Sequence, residues 1–259
     1  MELLREMGLT LAASGDLAAS ALALSHALRN APAATDVAAD LANIYLRAER
    51  PRDALAVLEA YDGSDDLDLV YLLGRAQRAL GRPEADATLR RHQQLQSRAQ
   101  AKREADTRAM VEVNMGIELW GENDLAGAGH AFERALSHRP MWPTARAYLA
   151  AAQLEMGDIP SAAELAASIL ESEPRNAQAL MVLGRARVAT SSAAGFELLE
   201  RAVALYPYGV VCLLTLADAY LAGGRRHEAM DLVRRAGEVE PGSTWVVVLR
   251  RRLEPEGAS

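Results

Sequence analysis

The stretch Asn114–Pro140, NMGIELWGENDLAGAGHAFERALSHRP, decides the fold of this chain. Each half of it places apolar residues at the spacing of one face of a helix. The polar segment Gly121–Asp124 between the halves predicts a turn, and Pro140 ends the second helix because proline cannot continue the hydrogen-bond ladder. The stretch therefore predicts a hairpin of two amphipathic helices. The residues expected on the facing sides are Met115, Gly116 and Leu119 in the first helix and Ala128, Phe132 and Ala135 in the second.

The prolines that end such segments recur along the chain. Pro140, Pro174, Pro207 and Pro241 are separated by 34, 33 and 34 residues. A fixed period near 34 residues is the signature of stacked helical hairpins, in which no hairpin buries its apolar face alone.

The pattern Met-Gly-x-x-Leu, then Ala-x-x-x-Phe-x-x-Ala, then Pro resembles the tetratricopeptide repeat. The resemblance covers nearly the whole chain and is strongest over Val111–Pro241. It implies an all-α, right-handed α-solenoid of about seven helical hairpins plus a terminal helix over Ser243–Leu253. The composition, dominated by the helix formers Ala and Leu, agrees with this fold. The near absence of lysine is typical of a GC-rich bacterial genome, so we expect a repeat protein of bacterial type.

Several repeats depart from the pattern. In the second repeat, Tyr61 stands where Ala is usual and Asp62–Ser64 predicts an early end of the helix. The sixth repeat has a shortened turn at Ser191-Ser192, and Glu254–Ser259 is expected to be a polar tail.

The segment Glu84–Met115 contains neither Gly nor Pro and exceeds the repeat period by about eight residues near Ala101–Arg108. Such an excess corresponds to roughly two helical turns and predicts an elongated helix with a solvated, charged face. We therefore expect two repeat arrays, residues 1–100 and 101–259. A long charged helix around residues 84–108 would join them.

Charge and composition argue against several classes of partner. The net charge of −7 argues against a nucleic-acid binder, which needs a basic surface. No uninterrupted apolar run is long enough for a membrane span. The single cysteine, Cys212, allows no intramolecular disulfide, and Met1–Arg5 does not begin a signal peptide. The expected compartment is the cytoplasm, with the periplasm as the alternative if a leader was removed.

No catalytic, metal or cofactor motif is recognisable. His227–Asp231 begins like a zinc-protease helix but ends in Asp where the second His is required. Gly127–Gly129 lacks the Lys and Ser/Thr of a phosphate loop and falls within a helix. Cys212 is expected to be a packing thiol. The sequence therefore predicts no enzyme, no cofactor and no metal.

The resemblance also implies where a partner would bind, because members of this family usually bind on the concave face lined by first helices. The competing interpretation is that these residues pack against the neighbouring repeat or against the long helix. The clamp of chaperone-binding members is not matched, since only Asn43 fits its pattern. The implied partner-binding residues are Tyr71, Arg75, Arg78, Met110, Val113, Ile117, Trp120, Leu154, Met181 and Arg185.

The function expected on these grounds is that of a non-enzymatic scaffold or adaptor whose groove binds a peptide or helix of a partner protein. Ile117 and Trp120 would supply apolar contacts, while Arg75 and Arg185 would select acidic flanks. One alternative is homo-oligomerisation through the unpaired helix Ser243–Leu253. The other is an accessory domain of a larger enzyme or regulator.

We expect Ala135→Arg to destabilise the protein by more than about 3 kcal/mol, because the larger side chain overpacks the hairpin and buries an unpaired charge. A thermal melt measures the effect. A melting temperature equal to that of the wild type would refute the placement of Ala135 between the helices.

Overall fold

The computed structural model describes residues 2–190 and 193–253, and within these ranges it contains helices and no strand. The all-α prediction is confirmed. The helices follow one another as α1 Glu2–Ala13, α2 Leu17–Asn30, α3 Thr35–Arg47, α4 Pro51–Leu58, α5 Leu67–Ala79, α6 Ala85–Gly121, α7 Leu125–His138, α8 Pro143–Glu155, α9 Ile159–Ser172, α10 Ala177–Ala189, α11 Ala194–Leu205, α12 Val210–Ala222, α13 Arg226–Val239 and α14 Thr244–Leu253.

The helices pair into consecutive hairpins, and α6 belongs to two of them. The first part of α6 packs on α5, where the rings of Tyr71 and His92 lie 5.2 Å apart. The last part packs on α7, where Gly116 faces Phe132. The second helix of the third hairpin and the first helix of the fourth are therefore one unbroken helix of 37 residues.

The chain divides into two compact units, residues 1–104 and 105–259. The core of the first unit contains Leu24 and Leu41, and the core of the second contains Phe132 and Leu213. Each unit is a stack of hairpins that bury their apolar faces against one another.

The terminal helix α14 packs on α12 and α13. Its residues Val246 and Leu249 are 0% and 1% exposed, as the sequence predicted for the inward face of this helix.

Within several hairpins a glycine on the first helix lets a bulky side chain of the second helix touch the backbone. A Cβ atom on Gly116 would lie 2.4 Å from Cε1 of Phe132, which is closer than any van der Waals contact allows. The ring of Phe132 is fully buried in the space that the missing side chain leaves. The same close approach joins Gly8 to Leu24, Gly74 to Leu89 and Gly184 to Leu199.

The turn between α6 and α7 is built by two residues. Asn123 adopts the left-handed conformation with φ 66°, which asparagine tolerates better than most residues. Asp124 then caps α7, its Oδ1 accepting a hydrogen bond from the backbone N–H of Gly127 at 2.9 Å. Asp16 and Asp158 cap α2 and α9 in the same way.

The second hairpin ends early, as predicted. Helix α4 stops at Leu58 and a 3₁₀ turn follows over Glu59–Tyr61. The hydroxyl of Tyr61 donates a 2.5 Å hydrogen bond to the carbonyl oxygen of Pro32, and this bond ties the turn to the preceding loop. The predicted turn at Ser191-Ser192 and the predicted tail over Glu254–Ser259 lie outside the described residues.

We expect Gly116→Ala to lower the free energy of unfolding by about 1–3 kcal/mol, because the new methyl group would overlap the ring of Phe132. Gly121→Ala is the matched control, since a Cβ there meets nothing within 4 Å. The control should lose no more than about 0.5 kcal/mol. Urea denaturation of the two variants measures the difference, and equal stabilities would contradict the proposed packing.

Candidate functional site

The second unit contains an apolar cavity of about 450 Å³, here called the first-helix cavity. Every residue that lines it belongs to a first helix of a hairpin or to α14. The cavity therefore lies on the face that the first helices share. Such a volume is in the range of pockets that hold small ligands or side chains of a partner.

Helices α6 and α8 form one side of this cavity. Ile117 and Trp120 come from α6, and Tyr148 and Glu155 come from α8. Ile117 is 43% exposed although its side chain is aliphatic, so this part of the wall is open to a partner.

Helices α10, α12 and α14 form the other side. Met181 and Arg185 come from α10, Thr215 comes from α12, and Trp245 comes from the first turn of α14. Trp245 is 39% exposed, so the terminal helix contributes an accessible aromatic surface to the cavity.

The aromatic side of the cavity is supported from behind by Phe132. Its ring stacks on Tyr148, with ring centroids 5.3 Å apart and an angle of 15° between the planes. Its ring centroid also lies 6.4 Å from that of Trp120. Because Phe132 is fully buried and held against Gly116, its packing fixes Trp120 and Tyr148, two of the three aromatic residues that line the cavity.

The two charged residues of the lining bind each other. Nη1 of Arg185 lies 2.5 Å from Oε1 of Glu155, and this ion pair joins α10 to α8. Arg185, which the resemblance implied for the selection of acidic flanks, therefore already has an acidic partner within the protein.

A second cavity, of about 490 Å³, shares part of its wall with the first-helix cavity. Arg185, Glu155, Thr215 and Trp245 line both cavities. The ion pair of Arg185 and Glu155 therefore lies at the border between the two spaces.

Comparison with known proteins agrees with the repeat pattern. The profile described as tetratricopeptide repeat matches residues 119–186. Residues 119–186 carry tetratricopeptide repeats. Among curated protein sequences, none matches this chain closely enough to count as a relative.

Two solved structures of tetratricopeptide-repeat proteins are similar to this chain. A thermophilic member from Thermus thermophilus shares 24% identity at a TM-score of 0.50, over 56% of this chain and 79% of that one. A member from Parabacteroides merdae shares 16% identity at a TM-score of 0.49, over 97% of this chain and 98% of that one.

The first-helix cavity brings together only part of the set implied by the resemblance. Ile117, Trp120, Met181 and Arg185 line it, and Leu154 lines the second cavity. The resemblance implied the same partner-binding positions in every repeat. In the structure, the residues that line the first-helix cavity lie progressively nearer the N-terminus of each successive helix. The cavity therefore runs obliquely across the helices.

The remaining implied residues of the second unit lie elsewhere. Val113 is 5% exposed and belongs to the core around Phe132. Met110 is 58% exposed and lines neither cavity.

Three implied residues lie in the first unit. The guanidinium carbon of Arg75 lies 5.7 Å from the ring centroid of Tyr71, in a cation–π arrangement. Nη2 of Arg78 forms an ion pair with Oδ1 of Asp86 at 2.9 Å.

The resemblance missed Tyr148, Thr215 and Trp245, which line the first-helix cavity. The sequence contained a signal that could have identified Trp245, because it is an aromatic residue at the start of the predicted terminal helix. Its role depends on the oblique course of the cavity, which the repeat period does not encode.

Among the described residues, no group of His, Cys, Asp and Glu has the arrangement of a metal site. Burial and a hydrogen bond to Glu200 raise the pKa of Tyr220 to about 12, so this phenol stays protonated at neutral pH. None of the helices in residues 2–190 and 193–253 is both long and apolar enough to cross a bilayer.

Proposed function

We propose that this chain is a non-enzymatic scaffold or adaptor that binds a peptide or helix of a partner protein in the first-helix cavity. The observation that supports the proposal is the cavity itself, to which α6, α8, α10, α12 and α14 all contribute. An apolar groove shared by several helices suits the apolar side chains of a peptide or of an amphipathic helix.

The exposure of the lining residues favours binding of a partner over packing against a neighbouring repeat. Ile117 and Trp245 are 43% and 39% exposed, so the apolar surface of the cavity is not covered by the neighbouring repeats. Exposed apolar surface in a concave site is typical of interaction sites. Within the proposal Ile117, Trp120 and Met181 supply apolar contacts.

We also propose that the chain acts as two repeat arrays, residues 1–100 and 101–259, connected through the charged part of α6. The boundary between the two compact units, which falls between residues 104 and 105, supports this arrangement.

Cys212, which is buried and unpaired, is compatible with a reducing compartment such as the cytoplasm.

Selection of peptides from a displayed random library tests the groove. We expect the wild-type chain to enrich a family of peptides with shared apolar residues, and Ile117→Asp to reduce their binding at least about tenfold by placing a charge in the apolar wall.

Val111→Asp is the matched control, because Val111 lies on the same helix, is 56% exposed and lines neither cavity. The control should bind the selected peptides as the wild type does. Equal binding by both variants would exclude the first-helix cavity as the site.

Self-association is a second candidate function, and α14 favours it. Val247 and Val248 are 41% and 46% exposed on the outer side of this helix. No further helix follows α14 among the described residues to cover that side. A second copy of the chain covering these residues would bury them.

This candidate predicts a mass by light scattering that rises above 27.9 kDa with concentration. Val247→Glu should restore a constant 27.9 kDa, because the charge would be buried at the interface. Trp245→Ala, a change on the cavity side of the same helix, is the control and should self-associate like the wild type. A wild-type mass that stays at 27.9 kDa at every concentration would count against self-association.

A further inference from the structure

The walls of the first-helix cavity are suited to an aromatic ring. Trp120, Tyr148 and Trp245 present ring surfaces, and Met181 presents a polarisable thioether. Aromatic groups pack favourably against one another in offset or edge-to-face geometry, and sulfur atoms favour ring edges. A flat apolar side chain would therefore find several favourable contacts in this space.

The charges of the lining are balanced within the protein. Among the described residues that line the cavity, Glu155 and Arg185 are the only acid and the only base, and they are paired at 2.5 Å. An entering carboxylate would compete with Glu155 for the guanidinium, and an entering ammonium would compete with Arg185 for the carboxylate. Either competitor leaves a protein charge without its partner, whereas an uncharged group leaves the pair intact.

Neutral polar groups in the same wall can serve the main chain of a partner. Gln178 and Thr215 line the cavity with an amide and a hydroxyl. Both groups can donate and accept hydrogen bonds, as a peptide backbone requires. The volume of about 450 Å³ leaves room for a large side chain together with part of its backbone.

We propose that the first-helix cavity selects an uncharged aromatic side chain of the partner protein, and that the Glu155–Arg185 pair discriminates against charged groups at that position. This inference rests on the proposed function, because it specifies the chemistry of the segment that the cavity binds. On this inference the cavity selects uncharged side chains of the partner, and Arg185 does not select acidic ones.

Three probes that share an indole ring test the inference. N-acetyl-tryptophanamide is neutral, N-acetyl-tryptophan carries a carboxylate at neutral pH, and tryptophanamide carries an ammonium group. Ligand-detected NMR titrations on the full chain at about pH 6, where the carboxylate probe is ionised and the amino group of tryptophanamide is protonated, would give the three dissociation constants. We expect the neutral probe to bind at least about fivefold more tightly than either charged probe.

One substitution in the wall, with a control outside it, locates the binding. Trp245→Ala should weaken binding of the neutral probe at least about fivefold, because it removes one ring surface from the cavity. Val247→Ala is the matched control, since Val247 lies on the same helix and lines neither cavity, and it should bind as the wild type does. Thermal melts of both variants check that α14 remains folded.

Glu155→Gln tests the role of the ion pair. The substitution keeps the size of the side chain but removes the negative charge that pairs with Arg185. We expect the carboxylate probe to gain at least about threefold in affinity for this variant, while the neutral probe changes little.

Tighter binding of a charged probe than of the neutral probe to the wild type would overturn the inference. The inference would also be overturned if none of the three probes bound at concentrations up to roughly 20 mM, since ligands of side-chain size bind weakly. Unchanged binding by Trp245→Ala would also overturn it. The proposed function fails separately, if displayed peptides bind the wild type and Ile117→Asp equally well.

Discussion

The contact between Gly116 and Phe132 is the interaction on which the rest of the second unit depends. Because Gly116 has no side chain, the ring of Phe132 lies directly against the backbone of α6 and is fully buried. A larger residue at position 116 would destabilise the fold by overpacking, and a smaller residue at position 132 would destabilise it by leaving a cavity. The same kind of contact recurs between Gly184 and Leu199, so one steric rule closes both of these hairpins.

The buried ring of Phe132 also connects the fold to the candidate site. It stacks on Tyr148 and lies beside Trp120, and both of these residues face the first-helix cavity. Since core packing is dense and side chains occupy defined positions, a shift of Phe132 would move the aromatic wall. Stability and binding are therefore coupled at this point, and substitutions near Gly116 will affect both.

Ion pairs between successive first helices set the charge of the face that they share. Arg185 pairs with Glu155 across α10 and α8, and Arg252 pairs with Asp218 across α14 and α12. These pairs are partly exposed, so each contributes only about 0–1 kcal/mol to stability. Their larger effect is on recognition, because they neutralise side chains that would otherwise attract charged partners. The apolar character of the cavity then dominates what it can bind.

The sequence alone determined the helical hairpins, because the proline period, the small residue at Gly116 and the bulky residue at Phe132 are local consequences of how two helices pack. The resemblance to the tetratricopeptide repeat also implied Ile117, Trp120, Met181 and Arg185 as partner-binding residues, and all four line the first-helix cavity. Only the tertiary structure decided that Val113 is buried, that Trp245 joins the cavity and that Arg185 is neutralised by Glu155. Each of these depends on how helices pack in three dimensions, and the spacing of residues within a repeat does not specify that packing.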